Sequence, residues 1–152
     1  MARLKFYTKG WDTHSKAFHT MIPEDKLPMI HKKICRHFWV HPNGKRLKPY
    51  LWPVLVANRK RGGGTAYLQR NYIKVGKETS FGVLCHELAH IYNYKRWGKK
   101  ATKHNKKLAK TIKRFVDYCE KKDYWGLSQL STSLTAGQAH PSQLSPASAP
   151  CK

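Results

Sequence analysis

One segment of the chain combines a short polar motif with a helical pattern of apolar residues, and this combination restricts its local fold to an amphipathic helix. Apolar residues recur there every three or four positions, the period of a helix with one buried face. They are Phe81, Leu84, Leu88 and Ile91 or Tyr92. Thr79 or Ser80 can cap the N-terminus of this helix, and Gly98 is suited to end it. The motif His86-Glu87-Leu88-Ala89-His90 therefore lies in the middle of a predicted helix.

The two histidines of the motif are four residues apart. In a helix this spacing turns the chain by about 400°, so both imidazoles leave the same face and can share one ion. Glu87 is offset by about 100° from His86, which puts its carboxylate beside the ion. Zinc lowers the pKa of a bound water to about 7, and such a carboxylate can accept the proton as the water attacks a peptide carbonyl. The motif thus predicts zinc on His86 and His90, with Glu87 as the catalytic base.

A catalytic zinc site needs a third protein ligand and an open fourth position. Asn93 and Arg96 stand where a metzincin motif requires Gly and His, so that arrangement is excluded. Glu120 lies near the end of the next predicted helix, whose apolar stripe points elsewhere. His104 is one helical turn before Leu108, so it shares the inward face of that helix, and a short connection can fold it back onto the first helix. We therefore predict His104 as the third ligand.

Upstream of the motif, the sequence predicts one helix and a small sheet. The segment after Pro23 places four apolar residues on one helical stripe, namely Leu27, Ile30, Ile34 and Phe38. Three short runs rich in β-branched and aromatic residues follow, at residues 50–60, 64–69 and 72–75. Pro53 favours an edge position or a late start for the first run. We expect these runs to form a short three-stranded sheet.

Downstream of the motif, a second helix is predicted to begin near Thr102. Its inward face comprises Leu108, Ile112, Phe115, Val116 and Cys119, with lysines opposite. After Trp125 the composition changes to a nearly uncharged stretch rich in Ser, Ala, Pro and Gln, which is typical of disorder. The sequence therefore predicts one α+β domain at residues 1–127 and a disordered tail at residues 128–152.

The order of these segments resembles the SprT-like, or spartan-type, zinc metallopeptidase domain. That family has a strand pair with the pattern R-x(n)-G-x-A, then an H-E-x-x-H helix, then a His that opens the following helix. In the family, this last His follows the second His of the motif by close to fourteen residues. In the present chain, His104 follows His90 by fourteen residues. The likeness covers roughly residues 50–120. It implies a small zincin-like fold, zinc on His86, His90 and His104, Glu87 as the base, and cleavage of proteins crosslinked to or bound on DNA.

The chain departs from the family pattern in two places. His104 is followed by Asn105, where a Gly is common in the family. Many members also carry a Cys-rich ribbon after the catalytic domain, whereas the segment here is rich in Ser and Pro. Any DNA contact is therefore expected to come from the domain itself.

The charge of the chain is strongly positive, with 30 Lys and Arg against 8 Asp and Glu and a formal net charge of +22. Solubility needs only roughly 2 to 8 units on a small domain. A polyanionic partner is therefore expected, and nucleic acid is favoured over an anionic membrane surface. The predicted contacts with a DNA backbone are Arg59, Lys60 and Arg61 before a glycine run, and Lys95, Arg96, Lys99, Lys100, Lys103, Lys106 and Lys107 around the third ligand.

This binding is expected to be salt-dependent and independent of base sequence, because phosphate contacts carry no sequence information. Four aromatic side chains near the basic segment can stack on the unpaired bases of a single strand, and they are Tyr92, Tyr94, Trp97 and Trp125. A domain of this size must nevertheless bury most of its aromatic residues, so most of the four are expected in the core.

The cysteines and the hydropathy pattern indicate an intracellular protein. Cys35, Cys85, Cys119 and Cys151 are widely separated and form no CxxC pair, so we expect reduced thiols. The N-terminus has no apolar run typical of a secretion signal, and no run of about 18 apolar residues predicts a membrane span. We expect a soluble protein of the cytoplasm, nucleoid or nucleus that binds no membrane and is not secreted.

Two other functions fit the same residues. One is a non-enzymatic, basic nucleic-acid-binding protein in which a structural zinc ion joins two helices. The other is a metal-dependent hydrolase that acts on carbonyl groups other than peptides. Glu87 discriminates against the first, because a structural site needs no carboxylate beside the metal and usually has four protein ligands. Among the His and Cys residues, Cys85 alone is a candidate for that fourth position, because it neighbours His86 on the predicted helix.

Overall fold

The computed structural model describes residues 19–59, 63–122 and 124, which contain three helices and five short strands. In chain order they are β1 (Met21–Ile22), α1 (Leu27–Phe38), β2 (Val54–Arg59), β3 (Gly64–Tyr67), β4 (Tyr72–Gly76), β5 (Thr79–Ser80), α2 (Phe81–Trp97) and α3 (Lys106–Lys121). Single 3-10 turns lie at Pro49–Leu51 and Lys99–Thr102. The predicted α+β class is confirmed. The predicted tail at 128–152, and the predicted domain end at residue 127, lie outside the described residues.

Helix α1 has the predicted stripe, since all four of its apolar positions are buried against the rest of the domain. Pro28 lies in the first turn, where a missing N–H removes no helical hydrogen bond. The helix therefore begins at Leu27, four residues beyond Pro23, within the segment predicted to be helical.

The three predicted strands form a sheet in the order β2-β4-β3, with β4 in the centre. β2 runs parallel to β4, and β3 runs antiparallel to it with Gly64 opposite Val75. Pro53 immediately precedes β2, an edge strand, which agrees with its expected effect. The residues Ile73 and Val75 of β4 are fully buried, so this strand attaches the sheet to the helices.

Helix α2 is the central element of the described domain. Ser80 caps it, because its side-chain oxygen accepts a hydrogen bond from the Val83 backbone N–H at 3.2 Å. Gly98 ends it with φ +74°, a conformation that favours glycine. Both predicted boundaries are confirmed. The strand β5, which directly precedes this helix, pairs with β1 in antiparallel register. The sequence analysis did not predict this pairing.

The core lies where α2 meets the sheet on one side and the other two helices on the other. Phe38 of α1 packs against Phe115 of α3 with ring centroids 4.2 Å apart, and Trp39 lies edge-on to Tyr92 of α2 at 5.6 Å. Burying each such side chain contributes roughly 1.5–3 kcal/mol. Every stripe residue predicted for α2 and α3 is buried.

One boundary differs from its prediction. Helix α3 begins at Lys106, not near Thr102, because the Asn105 side chain accepts hydrogen bonds from the backbone N–H groups of Lys107 and Leu108 at 3.0 and 3.1 Å. Asn105 is thus an N-cap, and His104 precedes the helix instead of belonging to its first turn. Within the described residues, no helix is long and apolar enough to cross a membrane.

Candidate metal centre

Three histidines meet between α2 and the connection that leads to α3. His86 and His90 leave the same face of α2, and their Nε2 atoms lie 2.9 Å apart. His104 comes from the residue before the α3 cap, and its Nε2 lies 3.2 Å from that of His90. One ligand atom from each of the three rings falls within 4.8 Å of the others. The structure therefore brings together all three predicted metal ligands as a group that can hold a metal ion.

The spacing of these nitrogens fits tetrahedral coordination. Two metal–nitrogen bonds of about 2.0–2.1 Å at a tetrahedral angle place the nitrogens about 3.3 Å apart. The observed separations of 2.9 and 3.2 Å are close to that value, so small side-chain adjustments suffice to accept an ion. Imidazole nitrogens suit several first-row transition metals, zinc among them. The donor set thus favours a transition metal over calcium or magnesium, which prefer oxygen ligands.

Burial keeps two of these imidazoles neutral. Burial, together with a smaller effect of the neighbouring His90 and His104, lowers the pKa of His86 to about 3. Burial likewise lowers the pKa of His90 to about 4, with His104 adding to the effect and a hydrogen bond to the Thr102 backbone opposing it. A neutral imidazole offers a lone pair to a metal, so protons compete weakly for these two sites near neutral pH.

A buried amide fastens the connection that carries His104. Asn93 lies on α2 one turn beyond His90 and is fully buried. Its Nδ2 donates to the Ala101 carbonyl at 3.1 Å, and its Oδ1 accepts from the Thr111 hydroxyl at 2.8 Å. The Lys99–Thr102 turn is therefore tied to α2 and α3 at once. The sequence analysis considered Asn93 only as a mismatch to another motif and missed this role.

Glu87 is almost completely buried, although it carries a carboxylate. The backbone of Gly64, at the start of β3, passes directly against it. A Cβ atom at position 64 would lie 2.9 Å from both Cδ and Oε1 of Glu87, and closer still to its Cγ. Gly64 therefore leaves the space that the carboxylate occupies. The sequence analysis placed this glycine at the start of a predicted strand and did not predict the contact, because only the approach of β3 to α2 reveals it.

Cys85 does not supply a fourth ligand. Its thiol is fully buried on the core side of α2, hydrogen-bonds with Cys119, and has its pKa raised by burial. It is absent from the histidine group, which contains three donors in the part of the chain that the structure describes. The idea of Cys85 as a ligand was wrong, because a position beside His86 on a helix points inward here.

The residues predicted to contact nucleic acid differ in where the fold places them. Seven of them are exposed around α2 and α3, namely Lys95, Arg96, Lys99, Lys100, Lys103, Lys106 and Lys107. Lys106 and Lys107 line one groove together with Trp97. Arg59 belongs to β2, and Lys60 and Arg61 lie outside the described residues.

The aromatic residues also divide. Tyr92 is buried in the core, Tyr94 is half-buried and Trp97 is 45% exposed. Trp125 lies outside the described residues. Of the three described residues, Tyr92 alone belongs to the core, so the expectation that most of the four lie there is not confirmed.

Comparison of the chain with protein-family models, with curated proteins and with solved structures finds no match in any of the three. The function must accordingly be argued from the site itself.

We expect replacement of His104 by alanine to abolish stable metal binding, because two imidazoles four residues apart then hold the ion alone. The measurement is zinc content by mass spectrometry after loading and dialysis, with wild type retaining about one ion per chain. His41→Ala is the matched control, since His41 is exposed in a turn far along the chain from the group. Equal zinc retention by His104→Ala and wild type would contradict the assignment.

Replacement of Asn93 by alanine should lower both stability and metal affinity. The substitution removes the amide that hydrogen-bonds the Ala101 carbonyl and the Thr111 hydroxyl. The unfolding free energy should therefore fall by about 1–3 kcal/mol. The zinc dissociation constant should rise about tenfold, as for other groups that orient ligands. Thr102→Ala is the control, because it removes one exposed hydrogen bond in the same turn. Lower stability with unchanged zinc affinity would show that Asn93 does not position His104.

Proposed function

We propose that this chain is a zinc-dependent metalloendopeptidase of the SprT-like type. The observation that carries the proposal is the combination of three converging imidazoles with a buried carboxylate on α2, the helix that carries two of them. Burial of an unneeded carboxylate is costly, so its presence next to a metal-binding group calls for a role in the chemistry. A general base beside the metal is the role that the H-E-x-x-H arrangement provides.

Zinc is the proposed metal because the donor set matches its catalytic sites. Those sites combine three protein ligands with an open position, and His86, His90 and His104 supply three nitrogens. Bound there, zinc would activate a water molecule and polarise the carbonyl group of a substrate. The Thr102 backbone orients the His90 ring, as outer hydrogen bonds commonly do for ligating histidines.

Glu87 performs the proton transfers in this proposal. Its carboxylate accepts a proton from the attacking water as the water oxygen bonds to the carbonyl carbon of the scissile peptide. It then delivers this proton to the amide nitrogen, and the carbon–nitrogen bond breaks to give an amine and a carboxylic acid, which retains the second proton of the water. Gly64 confines the Glu87 side chain, so the carboxylate meets the substrate in one orientation.

The edge of β3 is suited to hold the substrate. β3 is a terminal strand of the sheet and pairs only with β4 among the described strands. An extended peptide can add to such an edge through main-chain hydrogen bonds, which impose little side-chain selectivity. Because β3 begins at Gly64 against Glu87, a peptide paired with this edge would pass the carboxylate. This arrangement favours cleavage within a chain over removal of terminal residues.

The basic surface supports substrates that are associated with DNA. Seven exposed Lys and Arg residues lie between Lys95 and Lys107, a segment that includes His104. Such a surface binds phosphate backbones without sequence preference and brings DNA-bound proteins close to the site. We therefore propose DNA-associated proteins as the substrate class.

A structural metal site is the competing function, and the placement of Cys85 and Glu87 disfavours it. Structural zinc sites are closed by four protein ligands, whereas the group in the described residues has three. Such a site also has no use for the buried carboxylate of Glu87. The open position and the carboxylate are both features of a hydrolytic site.

The substitution Glu87→Gln should separate metal binding from catalysis. It keeps the shape of the side chain but removes the base, so zinc content should be unchanged while cleavage of casein falls at least about a hundredfold. Glu78→Gln makes the same chemical change at an exposed position and should leave cleavage unaffected. If Glu87→Gln cleaves as fast as wild type, the peptidase proposal is wrong.

The substitution Gly64→Ala tests the close approach of β3 to the base. The added methyl group occupies the space of the Glu87 carboxylate, so cleavage should fall at least tenfold while the three histidines keep their zinc. Thr65→Ala, at the next position of the same strand, is the control for general effects on β3. Full activity of Gly64→Ala would show that the carboxylate position is unimportant.

A further inference from the structure

A shallow groove of about 540 Å³ lies between the end of α2 and the first turns of α3. We call it the Trp97 groove. Its lining residues are Trp97, Lys106, Lys107, Lys110, Thr111 and Arg114. It thus combines one large aromatic surface with four cationic side chains and includes no acidic residue.

The indole of Trp97 is available to a ligand. The side chain is 45% exposed, an unusual state for the largest apolar residue in a small domain that must bury most of its aromatic surface. The Lys107 ammonium lies 3.8 Å from the centre of its ring, and this contact orients the lysine along the groove. A planar aromatic ligand can replace the lysine on the ring face while the ammonium contacts the anion attached to that ligand.

Among the described residues, no acidic side chain forms an ion pair with a cation of the groove. Helix α3 has two acids, Asp117 and Glu120, and both lie beyond the groove. Asp117 pairs with Lys113 at 2.7 Å, so its charge is directed to a lysine outside the lining. Arg114 is oriented by its guanidinium, which donates to the Tyr92 hydroxyl at 3.4 Å. Four uncompensated cations repel one another, and a polyanion relieves that repulsion.

The positions of these cations suit a chain of phosphates. Lys106 and Arg114 are eight residues apart on one helix, a rise of about 12 Å. The groove therefore offers a row of charges, not a single anion pocket. The N-terminal end of α3 adds its partial positive charge at Lys106 and Lys107. Only a polyanion that is extended and carries flat aromatic groups matches both the row and the exposed indole.

We propose that the Trp97 groove binds a single-stranded nucleic acid, with a base stacked on Trp97 and successive phosphates on Lys107, Lys110 and Arg114. A duplex fits poorly, because its base faces are covered by their neighbours and cannot stack on a protein ring. The lining residues stand on both sides of His104 in the chain, with Trp97 before it and Lys106 and Lys107 after it. The single strand would be the nucleic-acid partner of the proposed peptidase, and this part of the inference rests on the proposed function.

The test measures binding by fluorescence anisotropy, using the full chain with Glu87→Gln so that no cleavage occurs. The probes are a labelled thymidine oligonucleotide, a uridine oligonucleotide of equal length, a duplex of the same length, and inorganic polyphosphate. Because binding is read without peptidase activity, failure of this proposal and failure of the proposed function are distinguishable.

Trp97→Leu keeps an apolar side chain but removes the stacking surface. It should weaken binding of the single strands about tenfold, since one stacked base contributes about 1–3 kcal/mol. Trp97→Phe should restore most of the affinity. Polyphosphate binding should be unchanged by either, because polyphosphate has no bases. Tyr50→Leu is the matched control, an exposed aromatic residue away from the groove, and should change binding less than twofold.

Lys107→Gln tests the phosphate row. It should reduce the slope of log affinity against log salt by about 0.7, the contribution of one phosphate contact on a single strand. Lys45→Gln makes the same charge change at an exposed lysine elsewhere and should leave the slope nearly unchanged.

Three results would overturn the proposal. The first is equal affinity of Trp97→Leu and Tyr50→Leu for the single strands. The second is duplex binding as tight as single-strand binding, and the third is a parallel loss of polyphosphate binding in Trp97→Leu. A preference between the thymidine and uridine probes distinguishes DNA from RNA and leaves the stacking site intact.

Discussion

The burial of α2 between the sheet and the other two helices is the constraint on which the candidate site depends. Its apolar residues are enclosed on more than one side, so the helix cannot rotate or slide without exposing them. His86 and His90 consequently face one fixed direction. The short connection from Gly98 then returns the chain to the same face, and His104 meets the other two rings there. The packing of the core thus positions the ligands.

The helices could be predicted from the sequence because their signals are local. A stripe such as Leu27, Ile30, Ile34 and Phe38 follows from the helical period alone, and Ser80 and Gly98 act on neighbouring backbone groups. The pairing of β1 with β5 could not be predicted, since each has two residues and their partners are far apart in the chain. The start of α3 was misplaced because the Asn105 cap competes with an otherwise acceptable helical pattern.

In the candidate site too, some residues could be predicted from the sequence and others could not. His86, Glu87 and His90 follow from spacing on one helix, and His104 follows from the placement of the next helix. Gly64 and Asn93 could not be identified, because their roles exist only once β3 and the Lys99–Thr102 turn have packed against α2. The basic residues form one run in the sequence, but the fold brings only a few of them to the exposed face of Trp97. Tertiary contacts therefore select among residues that are chemically alike.

The charges around the site also explain why a buried carboxylate is tolerated there. Imidazole ligands bring no negative charge to a divalent ion, and the exposed Lys103, close to His104 in the chain, adds to the local positive potential. Glu87 is the nearest acid in the sequence to either α2 histidine, and this positive potential attracts its carboxylate and offsets part of the cost of its burial. In the proposed peptidase the three imidazoles would hold the metal, whereas the carboxylate packed against Gly64 would serve the proton transfer.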